Sequence, residues 1–409
     1  MFAPAFAPFY FSEGLVNSKL ALAMISNAWD VTVISMPADK GLRYQSGWAG
    51  RWLALRALRH DVEAVAVGSR ATRLLGLGYD VIMAGHCVQG VHWSRMAFRK
   101  AMEMHRTRPF DVVLSRSTSC CSHLPAMLFK RETSVRWIAN WNDPPLHLFP
   151  APYDYAISGF RRLVVRRYLR AAAAAADFNS FPSRHLFEHL RSELKIVDES
   201  RVRILPHIGL DGYTARAWKK GDSFKLCHAG NLASERSPGT FLRACRKIID
   251  RYNGSVKVTC DIVGVEDTNL AAVIQDVGLQ EHVRFSGPKS FDDTLEAISQ
   301  CDVAVLIEAP CEHGIFLPSK IIDYAQTGRP ILSISPRTGV MRDLLSEYGG
   351  GIHADNRSQG SIESALDQFV QLWLENRLGS MNPVAWVHHA SPEAILHALE
   401  SMITEAPAK

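Results

Sequence analysis

Pro318, Ser319, Lys320 and Asp323 fall close together, with Tyr324 next and Gly328, Arg329 and Pro330 a turn further on. Proline and serine suit the start of a helix and glycine its end, and Pro330 suits the opening of a strand. The spacing therefore predicts a short helix with Asp323 about one turn inside it. Backbone N–H groups at such a start attract an anion such as a diphosphate, and a carboxylate just behind them accepts hydrogen bonds from ribose hydroxyls. A capped helix with one solvated aspartate fits the same residues, so the residues alone leave both readings open.

The surrounding pattern decides what could position this segment. Phe224–His228, Val256–Val263, Val283–Phe285, Asp302–Ile307 and Pro330–Ile334 are short apolar runs separated by helical patterns or loops. That is the rhythm of a doubly wound α/β domain, whose ligands bind at the carboxyl ends of the strands. A looser version of it precedes Lys220, at Val31–Met36, Asp111–Leu114 and Arg136–Ala139. With 409 residues the chain is long for one core, and two domains are expected. The polar stretch Asp211–Asp222 is the boundary, giving domains at 1–215 and 220–387. Ser391 and Pro392 open a terminal helix, and residues 388–409 are expected to pack back on the first domain.

P-S-K-x-x-D-Y-x-x-x-G-R-P resembles the donor-site motif of retaining GT-B-fold glycosyltransferases (family 4-like, group 1), whose usual form is P-S-K-x-x-E-Y-x-x-x-G-K-P. The order His228-Ala-Gly-Asn-Leu232, Asp261-Ile-Val-Gly264, Val283-Arg-Phe-Ser-Gly287, Cys301-Asp-Val-Ala-Val305 and Gly349-Gly-Gly351 is similar to the same family across residues 224–370. The resemblance implies two Rossmann-like domains facing across a cleft, and transfer of a sugar from a nucleotide diphosphate with retention of configuration. It implies Asp323 at the ribose, and Arg236 and Lys320 at the diphosphate beside Pro318, Ser319, Gly230, Asn231 and Gly264. Pro288 and Lys289 would frame the base. It further implies a UDP-sugar more readily than a GDP-sugar, no required metal or cofactor, and a saccharide, small-molecule or lipid-linked acceptor. In the first half, Gly14 would let backbone approach sugar or phosphate, and Asp143 would orient sugar or acceptor, although Asp143 before Pro144 equally suits a turn. The pattern departs at Ile315, where the family often has a first glutamate; Glu312 lies three residues earlier.

Composition removes other classes. No H-E-x-x-H, G-x-S-x-G or Walker sequence occurs, and the histidines show no metal-ligand spacing. The eight cysteines form no C-x-x-C pair and suit reduced core thiols, with vicinal Cys120 and Cys121 read as buried small hydrophobes. The start of the chain lacks a basic n-region and is broken by Pro4 and Pro8, so neither a secretion signal nor a span is expected, and a cytoplasmic location is. Up to Lys220 the chain carries 30 basic and 17 acidic residues, a balance of +13, against −8 beyond it. Arg162, Arg166, Arg167 and Arg170 gather on one helical face, which suits either a solvated surface or peripheral contact with the anionic inner membrane face. No nucleic-acid reader motif accompanies these charges. A glycosyltransferase is the expectation. An epimerase on the same fold, or a catalytically silent partner of another transferase, is the alternative, the latter kept open by Ile315.

Overall fold

The computed structural model describes residues 1–9, 11–37, 50–117, 120–154, 156–232, 234–264 and 268–405. The chain divides into two units, Met1–Phe149 with Asp154–Ile208 and Pro392–Lys409, and Pro150–Tyr153 with Gly209–Ser391. The second unit thus begins before the 215–220 boundary suggested by composition, and it also takes in a four-residue loop from the first half.

The first unit is built on parallel strands β1 (Val33–Ser35), β2 (Arg59–Asp61), β3 (Val112–Ser117), β4 (Arg136–Trp141), β5 (Phe178–Phe181) and β6 (Val202–Ile204). β1 pairs with β2, and β3 to β6 run in sequence order. Phe2 joins the two groups by bridging to Ile34 and Ser115. Leu114, Ile138 and Phe178 face Leu20, Ala23 and Met24 of the Ser12–Ser26 helix, together with Ile395, Leu396, Leu399 and Met402 of the Pro392–Thr404 helix. The terminal helix is also pinned by Arg136, which donates from Nη1 to the carbonyls of Met402 (2.8 Å) and Ile403 (2.6 Å).

The second unit carries β7 (Phe224–Ala229), β8 (Val258–Val263), β9 (Val283–Phe285), β10 (Val303–Ile307), β11 (Ile331–Ser335) and β12 (Gly351–Asp355), all parallel in the order β12-β11-β10-β7-β8-β9. Both faces are covered, so the strands are continuous apolar runs. The two-residue period sends Val303, Val305 and Ile307 toward the Gly239–Tyr252 and Gln359–Leu374 helices, and Ala304 and Leu306 toward the Lys320–Gln326 and Val340–Tyr348 helices. Neighbouring strands β7 and β10 lead into helices on opposite faces of the sheet. Their carboxyl ends therefore form the switch-point crevice at which ligands of doubly wound sheets bind.

Candidate functional site

Three segments converge on that crevice. Gly230 follows β7 with φ +123°, a backbone that favours glycine, and a Cβ there would lie 2.6 Å from the Lys320 ammonium. A Cβ on Gly264, at the end of β8, would meet the Gly230 carbonyl oxygen at 2.8 Å. The two glycines let the strand ends close on Lys320, which donates from Nζ to the Ala229 carbonyl at 3.0 Å. Tyr324, on the same helix as Lys320, fixes this strand end: its hydroxyl accepts from the Ala229 amide and donates to the Ala229 carbonyl, both at 2.9 Å. Asp323 sits half-buried in the first turn, and Ser319 occupies the N-cap position without a side-chain capping bond. The helix itself runs only from Lys320 to Gln326, so its dipole is short and the side-chain charges dominate.

Those charges form a cluster. Arg236, at the end of a 3₁₀ turn after β7, places Nη2 3.8 Å from Oε2 of Glu308, which follows the last residue of β10. Glu308 is 7% exposed, and among the described residues its Oε1 is buried without a hydrogen-bond partner. Burial pushes the Glu308 carboxyl up, opposed by Arg236 and Lys320. Burial pushes the Lys320 ammonium down to about 8; Glu308 works against that shift, Arg236 with it, and Asp323 against it. His228 is held neutral by burial, aided by Lys320, and its Nδ1 lies 2.9 Å from the Val305 carbonyl. The Arg236 guanidinium also lies 5.9 Å from the centroid of the Tyr153 ring. A cavity of about 600 Å³ adjoins the cluster, lined by Glu308, Ser237, Thr240, Arg243 and Asn356 among others.

Arg236, Lys320 and Asp323 are marked by sequence motifs, whereas no motif marks Glu308, although the Arg236–Glu308 pair is the centre of the arrangement. Glu312, the carboxylate considered in place of the absent first glutamate, is exposed, and Ile315 is buried. Pro288 and Lys289 follow β9, three strands from β10 and roughly 14 Å away at ~4.8 Å per strand. Asn231 is exposed beside Gly230.

In the first unit Gly14 has a different explanation from the one its position suggested. It is buried, and a Cβ there would lie 2.3 Å from the Phe9 carbonyl oxygen, so its close approach is to the chain itself. Around it runs a buried polar chain. Asn142 donates to Glu13 Oε2 at 2.7 Å, Asn17 donates to Glu13 Oε1 at 3.1 Å, and Arg116 Nε donates to Asn17 Oδ1 at 2.7 Å. Asp143, half-buried after β4, adds its charge to the effects on Cys120. The Cys120 thiol is pushed up to about 12, chiefly by burial, and all eight cysteines are free. The arginine face is partly spent within the protein: Arg166 Nε pairs with Glu193 Oε1 at 2.5 Å, and Arg170 Nε donates to the Glu193 carbonyl at 2.8 Å. Among the described residues no group of three or more His, Cys, Asp or Glu side chains could hold a metal ion, and no helix is long and apolar enough to cross a membrane.

Residues 215–381 match the family model of glycosyl transferases group 1. No curated protein sequence matches the chain. Among solved structures, the chain is similar to a glycosyltransferase from Rickettsia africae (TM-score 0.64, 11% identity, 99% of this chain and 98% of that one). It is similar to Anabaena Alr3699/HepE in complex with UDP and glucose (0.63, 10%, 99% and 98%). A putative UDP-N-acetylglucosamine 2-epimerase from Listeria monocytogenes shares the architecture more distantly (0.56, 11%, 100% and 96%). The fold is GT-B, two Rossmann-like units with parallel sheets. The family match over the second unit makes the chain a glycosyltransferase.

Proposed function

We propose that the chain transfers a sugar from a UDP-sugar, with retention of configuration, to a saccharide or lipid-linked acceptor held by the first unit. The observation that carries this reading is the Arg236–Glu308–Lys320 cluster at the β7/β10 switch point, with Asp323 one turn along the same helix as Lys320. Two cations at one point suit the diphosphate, whose charge grows as the glycosidic bond breaks, and preorganised charge of this kind accelerates transfer. Asp323 would accept from the ribose hydroxyls, and Pro288 and Lys289 would frame the base. Asp143 would orient the acceptor. UDP in the Anabaena complex supports the choice of nucleotide. The resemblance implies no required metal or cofactor.

Glu308 also favours a second reading. A buried carboxyl with a raised pKa is the acid or base that an epimerase of this fold would need. Incubation with UDP-sugars separates the readings. Acceptor-dependent release of UDP supports transfer, an epimerised donor without acceptor supports the second reading, and neither outcome would leave a silent binding partner. Calorimetry with UDP tests the site directly: Asp323→Ala should weaken binding about tenfold by removing an acceptor for two hydroxyls, while Asp323→Glu should keep it. Unchanged affinity in the alanine variant would misplace the motif.

A further inference from the structure

The helix Arg70–Ala84 is turned inside out. Asp80 faces the protein, 6% exposed, with its carboxylate 2.6 Å from His92 Nδ1 and 3.2 Å from Arg95 Nη1 on the next helix, Val91–Thr107. At 100° per residue, Leu75 and Ile82 lie roughly 140–160° round from Asp80, and they are 77% and 78% exposed. Leu74 and Tyr79 flank them in the open, and Val67 just before the helix is 83% exposed. A polar inner contact beneath an apolar outer face is the reverse of an ordinary surface helix, and a contiguous exposed apolar patch marks an interaction site.

The surroundings of the patch are basic. Arg70 and Arg73 are exposed in the first turn of the same helix. Past its far end, His86 packs edge-on against Tyr168 of the Gly159–Ala175 helix, with ring centroids 5.4 Å apart. That second helix exposes Phe160 and Leu163 together with Arg161, Arg162 and Arg167.

We propose that the outward face of the Arg70–Ala84 helix, flanked by Arg70 and Arg73, docks on an anionic lipid bilayer. Apolar side chains enter the boundary between headgroups and acyl chains while flanking arginines meet the anionic headgroups, as in interfacial amphipathic helices. Charge complementarity selects this occupant over a second copy of the chain, which would bring arginines against arginines on a half whose balance is +13 up to Lys220. This inference does not depend on the donor site.

Co-sedimentation of the full chain with vesicles tests it without donor or acceptor. Binding to 3:1 phosphatidylcholine:phosphatidylglycerol should exceed binding to phosphatidylcholine alone at about 0.1 M salt and fall at about 1 M, as the Debye length shortens from about 10 to about 3 Å. Leu75→Gln with Ile82→Gln should cut binding about tenfold and leave the thermal melt unchanged, because both side chains are already in solvent. Arg70→Gln with Arg73→Gln should reduce the preference for anionic vesicles. Failure to bind anionic vesicles at low salt would overturn the proposal. So would undiminished binding by the Leu75/Ile82 variant, or loss of its folding, which would place those side chains in a core. A concentration-dependent dimer in light scattering that the same variant abolishes would assign the face to a second copy.

Discussion

Glu308 changes how the neighbouring cations behave. Its buried carboxyl lies against Arg236 and helps keep a proton on Lys320, so the two cations are held in place but not fully neutralised, as the proposed diphosphate role requires. Arg236→Ala should lower turnover more than nucleotide affinity, on the order of 10²–10³-fold in kcat by analogy with lost oxyanion donors, because the charge it meets develops in the transition state. Steady-state kinetics beside UDP calorimetry check it, and equal losses in both would mark uniform binding. The depressed Lys320 pKa gives a pH signature. With a folded value of about 8, below that of the unfolded chain, the ammonium is present below pH 8 and is lost above it. UDP affinity should therefore weaken as pH rises through 8, and binding at pH 8.5 should take up protons, seen as a dependence of binding enthalpy on buffer. Stability runs the other way. The cost of holding Lys320 charged in the fold is fully present below 8 and is relieved between 8 and the unfolded pKa, so Lys320→Met should raise the melting temperature at neutral pH while weakening UDP binding. Asp323 and Lys320 were legible because their motif is contiguous in sequence. Arg236 was legible from its place after the β7 glycine. Glu308 was not, because its role arises only when the end of β10 is set beside the β7 loop.

Among the elements, the strands of the second unit stood out because burial on both faces makes each a near-continuous apolar run. Their boundaries in the sequence fall within two residues of those in the fold, and only opening glycines mark β12. The first unit was harder to read. Phe2 enters the sheet from a proline-broken start, and the Ser12–Ser26 helix buries Glu13, Asn17 and Lys19 among its apolar residues, which blurs its periodicity. The Arg70–Ala84 helix carries an amphipathic pattern whose inner side is set by Asp80, His92 and Arg95, a choice no local pattern reveals. The terminal helix supplies Ile395, Leu396, Leu399 and Met402 to the first unit. Deleting the chain from Pro392 onward should lower the melting of the first unit by many degrees, since each buried aliphatic side chain contributes roughly 1.5–3 kcal/mol, while the transition of the second unit stays in place. Scanning calorimetry resolves the two, and a joint shift would show that the helix serves both.

Over the whole molecule, charge and chemistry are divided. The basic half carries the outward apolar helix, and the acidic half carries the Arg236–Glu308–Lys320 cluster, so positive charge is concentrated locally in the second unit at Arg236 and Lys320. The two-domain α/β architecture was visible in the alternation of strands and helices, whereas the assignment of Pro150–Tyr153 to the second unit depends on packing that sequence order conceals. The place of the terminal helix also sets an order in time. Chains emerge from the ribosome at ~5–20 residues per second, so the stretch Gly209–Ser391, which belongs to the second unit, takes roughly ten to forty seconds to appear. Through that interval Leu20, Leu114, Ile138 and Phe178 wait without the side chains that cover them. Of the two units the one begun first is finished last, and a nascent chain of this protein presents an open apolar sheet face until the Pro392–Thr404 helix has been made.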